Sequence, residues 1–308
     1  MPLTLVASPR FVDHVTPVGH PERPERAQVF NRVASEFAKQ GGRVLDPRTA
    51  TDADLERVHT REHIDAIVAT RGKATMIDED TFTSPDSEDI ARLAAGAVLT
   101  GVDQVMDGGP KSRALVLVRP PGHHAEADRA MGFCLYSNIA VGAAYARSRG
   151  CGRVAIVDYD VHHGNGTQWI FYEDPTVLFV SSHQYPFYPG TGAASEKGRG
   201  EGLGFTLNLP LPAGTMGDEI QGQYEAQVLP AVRGFKPDLL MVSAGFDAHE
   251  MDPLGQLRMT TADFGRLTKT LIDLADEVCG GRVVLVTEGG YDLTAVEACL
   301  NAVIRACD

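Results

Sequence analysis

The sequence predicts a doubly wound α/β fold on a parallel sheet, and three observations carry that expectation. Five apolar runs are continuous rather than alternating: ALVLV at 114–118, RVAIVD at 153–158, TVLFVSS at 176–182, DLLMVSA at 238–244 and RVVLVTE at 282–288. Strands covered on both faces read this way. Between them lie segments with apolar residues every three or four positions, as amphipathic helices require. Each strand run, finally, ends in a cluster of polar residues.

Taken in order, ALVLV leads into RPPGHHAE, and a helix is expected over 136–149 (YSNIAVGAAYARSR). RVAIVD leads into DVHHGNG, and TVLFV ends in SSH. The glycine-rich stretch 189–204 (PGTGAASEKGRGEGLG) lies between two strand signals and reads as a long functional loop. Helical spacing returns at 217–233. DLLMVS leads into AGFDAH, a helix follows over 261–278, and RVVLVT leads into EGGYD. The last helix spans 292–306, with Asp292 as its expected N-cap. No internal repeat or Gly/Ser linker appears, so residues 1–308 are expected to form one domain. In open parallel sheets ligands bind at the C-terminal edge of the strands. All five polar clusters should therefore meet on one rim.

Bulk properties narrow the function. The 308 residues carry a formal net charge of -13, which argues against a nucleic-acid binder. Five scattered cysteines without a CxxC pair suit a reducing compartment better than a disulfide framework. The N-terminal MPLTLVASPR has no signal-peptide pattern, and no apolar run reaches the roughly 18 residues of a membrane span. A cytoplasmic protein without membrane partners is expected.

Asp160 and His162, two apart after a strand, can point the same way and share a metal. Asp247, at the end of another strand, is the candidate third ligand of a hydrolytic site with one position open. The plainer reading of D-x-H alone makes Asp160 a helix cap and His162 a loop residue. His123 and His124 can divide acid–base work if their partners differ. Asp158 and Asn165 are the candidate partners: an aspartate raises a histidine's pKa, and an asparagine orients the ring without adding charge. Tyr291, after paired glycines, is placed to donate to a developing oxyanion, or else simply packs on the sheet edge.

RPPGHHA, MGFCLYSNIAVGA, VDYDVHHGNGTQ, SAGFDAH and EGGYD together resemble the signature blocks of the histone deacetylase superfamily, and GHPERPER (19–26) resembles its N-terminal block. The resemblance runs from Gly19 to about Leu293. It implies an arginase/deacetylase-like three-layer fold with an eight-stranded parallel sheet. It also implies one Zn2+ on Asp160, His162 and Asp247. His124 then looks like the general base and later acid, His123 like its electrostatic partner paired to Asp158, and Tyr291 like the transition-state tyrosine. Asn165 stands where the family's class I branch carries aspartate, which looks like class II and its bacterial relatives. Phe133 and Tyr188 match the walls of an acyl-lysine tunnel, with Gly132 letting substrate pass close to the backbone. Arg26 is implied in the cavity behind the metal. A structural potassium ion is implied near Asp158, Asp160, His162, Ser181 and Ser182.

The implied reaction is deacetylation of acetyl-lysine in proteins or peptides. Acetylpolyamines and other small acylated amines are the alternative partners. The family's polyamine branch carries a glutamate where this chain has Leu254, which favours acetyl-lysine. An inactive acyl-lysine binder is the third reading. A dimanganese enzyme of the same fold would need more bridging carboxylates than are present. Acyl-chain preference and homo-oligomerisation are left open.

Overall fold

The computed structural model describes residues 3–307. The chain opens with strand β1 (Thr4–Val6), helix α1 (Pro24–Lys39) and strand β2 (Arg43–Leu45). Two short helices follow, α2 (Asp52–Leu55) and α3 (Arg61–Val68), then a small hairpin of β3 (Thr75–Met76) and β4 (Phe82–Thr83). The long helix α4 (Ser87–Asp107) leads to β5 (Arg113–Val116) and α5 (Asn138–Ser148). Next come β6 (Val154–Asp158), α6 (Asn165–Ile170), β7 (Val177–Gln184) and β8 (Thr206–Leu211). Helices α7 (Gly217–Gln223) and α8 (Leu229–Phe235) are joined through a π-helical turn at Tyr224–Val228. The chain closes with β9 (Leu239–Ala244), α9 (Thr261–Val278), β10 (Val283–Thr287) and α10 (Leu293–Cys307).

Eight strands make one sheet in the order β2-β1-β5-β10-β9-β6-β7-β8, with every neighbouring pair parallel. The expected parallel α/β architecture is present. The continuous apolar runs are explained by a period of two serving both faces. Leu115, Ala155, Val157, Leu240, Val242 and Leu285 face the core beneath α1, α9 and α10. Their neighbours Ala114, Val116, Ile156, Met241 and Val284 face the core beneath α4 and α5. Asp292 caps α10 as expected: its Oδ1 accepts from the Ala295 N–H at 2.8 Å. No helix among the described residues is long and apolar enough to cross a membrane.

The five strands that carry polar ends, β5, β10, β9, β6 and β7, are contiguous at the centre of the sheet. Asp158 at the end of β6 is in register with Ser181 of β7 and Ser243 of β9, and Ala244 of β9 with Thr287 of β10. The C-terminal ends of β5, β10, β9 and β6 therefore finish level with one another. One strand departs from expectation. β7 continues through Gln184, two residues past the expected run 176–182, and so takes in His183 and Gln184 as well.

Helix α4 packs flat beneath the sheet and is buried around most of its circumference. At its Gly96 the segment Arg48–Ala50 closes directly against the helix. A Cβ there would stand 1.9 Å from the Arg48 carbonyl oxygen and 2.7 Å from the Ala50 nitrogen. At Gly222 in α7, nothing lies within 4 Å of a Cβ. Gly96→Ala should therefore destabilise by about 1–3 kcal/mol or more through overpacking. Gly222→Ala should be neutral or stabilise by up to about 1 kcal/mol. Denaturant midpoints of the two variants check this, and equal shifts would contradict the packing described.

Candidate active site

The chain leaving β6 bends sharply, and its own carboxylates make the bend. Asp158 Oδ1 accepts from the Asp160 N–H at 3.0 Å, and Asp160 Oδ1 accepts from the His162 N–H at 2.9 Å. Each aspartate bonds the backbone two residues on, as Asx turns do. The segment is thus bent, not extended, yet Asp160 and His162 still converge. Asp247 arrives from beyond β9, its Oδ1 accepting from the Val161 N–H at 2.8 Å. His162 Nδ1 lies 3.1 Å from both Asp160 Oδ1 and Asp247 Oδ2. Gly289, after β10, donates its N–H to Asp160 Oδ2 at 2.8 Å. The glycines of these turns leave the room: a Cβ at Gly245 would lie 2.0 Å from Asp160 Oδ2, and one at Gly289 2.1 Å from Asp247 Oδ2.

Asp160, His162 and Asp247 can present one ligand atom each within 4.8 Å of one another. Both carboxylates are fully buried, and no arginine or lysine pairs with either among the described residues. Burial, with the charge of Asp160, pushes the Asp247 carboxyl up to about 7. A bound cation would remove that penalty. Two carboxylates and one imidazole suit a divalent transition metal with an open position. Asp160 does not cap α6, whose N-cap is Gly164.

The two histidines sit side by side, ring centroids 4.0 Å apart, with different partners. His123 Nδ1 donates to Asp158 Oδ2 at 2.9 Å. Burial works against a charge on His123, but Asp160 and Asp158 outweigh it and hold its pKa well above the usual range. His124 Nδ1 donates to Asn165 Oδ1 at 2.8 Å. Burial, and then the neighbouring His123 and His162, press its pKa well below the usual range. The two imidazoles are thus pulled apart, His123 toward the charged form and His124 toward the neutral one. Glu288 fixes their loop by accepting from the Gly122 and His123 N–H groups at 2.7 and 3.1 Å.

Above the cluster is a narrow pocket of about 70 Å3 lined by Asp80, His124, Gly132, Phe133, His162, Tyr188, Leu254 and Tyr291. Phe133 meets Tyr291 edge-to-face at 5.8 Å, and Tyr188 meets His124 at 5.2 Å. Gly132 lines the pocket as expected, but a tighter constraint acts on it. Its φ is +57°, and a Cβ there would lie 2.5 Å from the His124 ring. Burial, and then the charge of Asp247, keep the Tyr291 phenol neutral, its pKa well above the usual range. Asp252 accepts from the Tyr291 N–H at 2.6 Å and the Leu254 N–H at 2.9 Å, tying the two pocket residues together.

Behind Tyr291, Arg26 is fully buried, its guanidinium 5.1 Å from the phenol ring. It donates to the carbonyls of Glu288 and Gly290 and pairs with Glu22 at 3.1 Å. Glu22 also accepts a fork from Arg119, both bonds 2.7 Å. Ser181 and Ser182 lie beneath Asp158, but their hydroxyls bond His183 Nδ1 and the Tyr224 phenol, each at 2.9 Å.

The sequence assigns no role to Glu22, Asp80, Arg119, Phe187 or Glu288. Phe187 stacks on His162 at 5.4 Å. Glu22 and Glu288 stand inside quoted motifs, so an acidic residue within a buried block was their available signal. Asp80 lies in a loop without one.

The family model described as "Histone deacetylase domain" matches residues 20–307. Histone deacetylase 15 of Arabidopsis thaliana is 43% identical over 296 residues, covering 93% of this chain and 52% of that protein. This chain therefore spans about half the length of that relative. The histone deacetylase-like amidohydrolase of Pseudomonas aeruginosa is 40% identical, covering 93% of this chain and 76% of that protein. The solved HDA15 HD domain superimposes with a TM-score of 0.92 at 38% identity, covering 99% of this chain and 89% of that one. Sequence and fold agree, and the chain belongs to the histone deacetylase family.

Proposed function

We propose that this chain is a zinc-dependent amidohydrolase that removes acetyl groups from lysine side chains of proteins or peptides. One observation carries the reading. His124, side by side with His123 but on a different partner, opens with His162 of the three-donor cluster and the buried phenol of Tyr291 into one narrow slot. Asp160, His162 and Asp247 would hold the zinc, which when bound supplies a Lewis acid for the amide carbonyl and for water.

The protein's own groups do the rest. His124 takes the proton of the attacking water at Nε2, because its Nδ1–H is committed to Asn165. It then delivers that proton to the leaving amine. His123 stays charged against Asp158 and stabilises the negative charge that builds nearby. Tyr291 donates its hydroxyl proton in a hydrogen bond to the oxyanion. Phe133 and Tyr188 form a slot for an aliphatic stem. Arg26 holds the Tyr291 turn from behind. A potassium ion beneath Asp158, Asp160 and His162 would rely on backbone carbonyls, since the Ser181 and Ser182 hydroxyls are engaged.

Asp80 on the pocket wall favours a second reading, in which a small acylated amine carries its distal cation toward that carboxylate. Values of kcat/KM on acetyl-lysine peptides, longer acyl-lysines and acetylpolyamines separate the two. Acetyl-lysine should lead; a lead by acetylpolyamines would overturn the substrate assignment.

Three outcomes are expected. Asp247→Ala should lose both tight zinc and activity, and full zinc by elemental analysis in that variant would remove Asp247 from the ligand set. Tyr291→Phe should stay folded and zinc-loaded, with KM little changed and kcat down about 10²–10³-fold. A trifluoroacetyl substrate, whose carbonyl is already activated, should lose much less, and near-normal acetyl-lysine turnover would point to another oxyanion donor. Leu254→Glu should shift the kcat/KM ratio toward N8-acetylspermidine, and an unchanged ratio would mean that Leu254 does not face the distal end of the substrate.

A further inference from the structure

The hydrogen-bond chain behind His124 does not stop at Asn165. Asn165 Nδ2 donates to Glu126 Oε1 at 2.7 Å. The same Oε1 lies 3.1 Å from the Arg129 guanidinium, and the Glu126 N–H donates to the Arg129 carbonyl at 2.9 Å. Glu126 is thus held by its own turn, its side chain 19% exposed, while Arg129 at 59% stands in solvent. The other acceptors near Asn165 Nδ2 are the His124 carbonyl and Met131 Sδ, both at 3.4 Å and weak.

A carboxamide has nearly the same shape either way round, but its two ends are opposite in chemistry. The partners decide which end faces which neighbour. A carboxylate only accepts, so Glu126 draws the NH2 group and turns Oδ1 toward His124. Oδ1 only accepts, so His124 must carry its proton on Nδ1. Its Nε2 is then left with a bare lone pair facing the pocket. Turned over, Asn165 would set its oxygen against the Glu126 carboxylate and its NH2 against His124. The ring would then accept at Nδ1 and carry the proton on Nε2, where it could take none from water.

We propose that Glu126 is a positioning residue that holds the Asn165 amide one way round and so fixes His124 as the Nδ1–H tautomer. Its catalytic consequence rests on the reading of His124 as the base; the tautomer itself does not. This role also explains why a partly exposed glutamate sits one residue beyond the buried HHA segment. It makes the identities of residues 126 and 165 interdependent. An acceptor at 126 requires an amide at 165. A donor at 126 would require a carboxylate there, because a carboxylate accepts from both sides.

The test is a four-membered cycle of Glu126→Lys and Asn165→Asp in the zinc-loaded full chain, with zinc content and unfolding midpoint checked for each protein. With Asn165 unchanged, Glu126→Lys should lower kcat on an acetyl-lysine peptide about 10- to 100-fold, as loss of an orienting partner does, with KM little changed. In the Asn165→Asp background the same substitution should cause no loss, or a gain. A purely structural role would give the same loss in both. Nitrogen-15 shifts of labelled histidines, with His124 assigned from its absence in His124→Ala, should show Nδ1–H in wild type and Nε2–H in Glu126→Lys. If Glu126→Lys does not fold, Glu126→Ala should show both tautomers and a smaller fall in kcat. Equal losses in the two backgrounds, or an unchanged His124 tautomer, overturn the inference. Full activity in His124→Ala would instead remove the base assignment, while the nitrogen shifts still decide the tautomer.

Discussion

Asp160 and Asp247 are two carboxylates buried side by side with no basic side chain of lysine or arginine to neutralise them among the described residues. Burying even one uncompensated charge costs several kcal/mol, so the surrounding structure must answer for both. Backbone answers for three of the four oxygens. The His162 and Gly289 N–H groups bond Asp160, and the Val161 N–H bonds Asp247. That solution requires main chain from β6, β9 and β10 to meet within hydrogen-bonding distance. Parallel strands ending level deliver it, and Gly245 and Gly289 keep side chains out of the way. His162 Nδ1 meets the fourth oxygen, Asp247 Oδ2, at 3.1 Å, so the three side chains converge on one point.

Around this centre the polar groups divide the work by partner. Asp160 and Asp158 raise the pKa of His123, while burial and its histidine neighbours lower that of His124, whose ring Asn165 orients without adding charge. Identical side chains one residue apart thus acquire opposite proton affinities. Further out, Glu288 fixes the histidine loop, Asp252 fixes the Tyr291 turn, and Arg26 joins the carbonyls of Glu288 and Gly290 to Glu22. The reacting groups are held by contacts from strands β5, β6, β9 and β10 and from helix α1. Precise placement of this kind is what lets orientation lower a barrier.

The centre was legible in the sequence because it is local. DYDVHH, SAGFDAH and EGGYD each keep ligand, spacing and turn glycine within a few residues, directly after an apolar run. The supporting groups were not, because they act across the chain. Arg119 reaches Glu22 over 97 residues, and Asp252 reaches Tyr291 over 39. Gly132 was read for its closeness to substrate, and its closeness to His124 needed coordinates. The first third of the chain carried little signal for elementary reasons. β1 and β2 have three residues each, and α4 is buried on so many sides that its apolar residues mark no single stripe. β8 hides its strand character behind Pro210, tolerated there because β8 is an edge strand.

The function proposed above makes these buried groups a metal-dependent hydrolytic centre, and the catalytic roles proposed for the surrounding residues depend on it. The most direct test is to strip the protein of metal with a chelator, return zinc in measured steps, and follow hydrolysis of an acetyl-lysine peptide. Activity should be absent without metal, rise in proportion to zinc, and reach its maximum at one zinc per chain. Full hydrolysis by the metal-free protein, or none with one zinc bound, would contradict it.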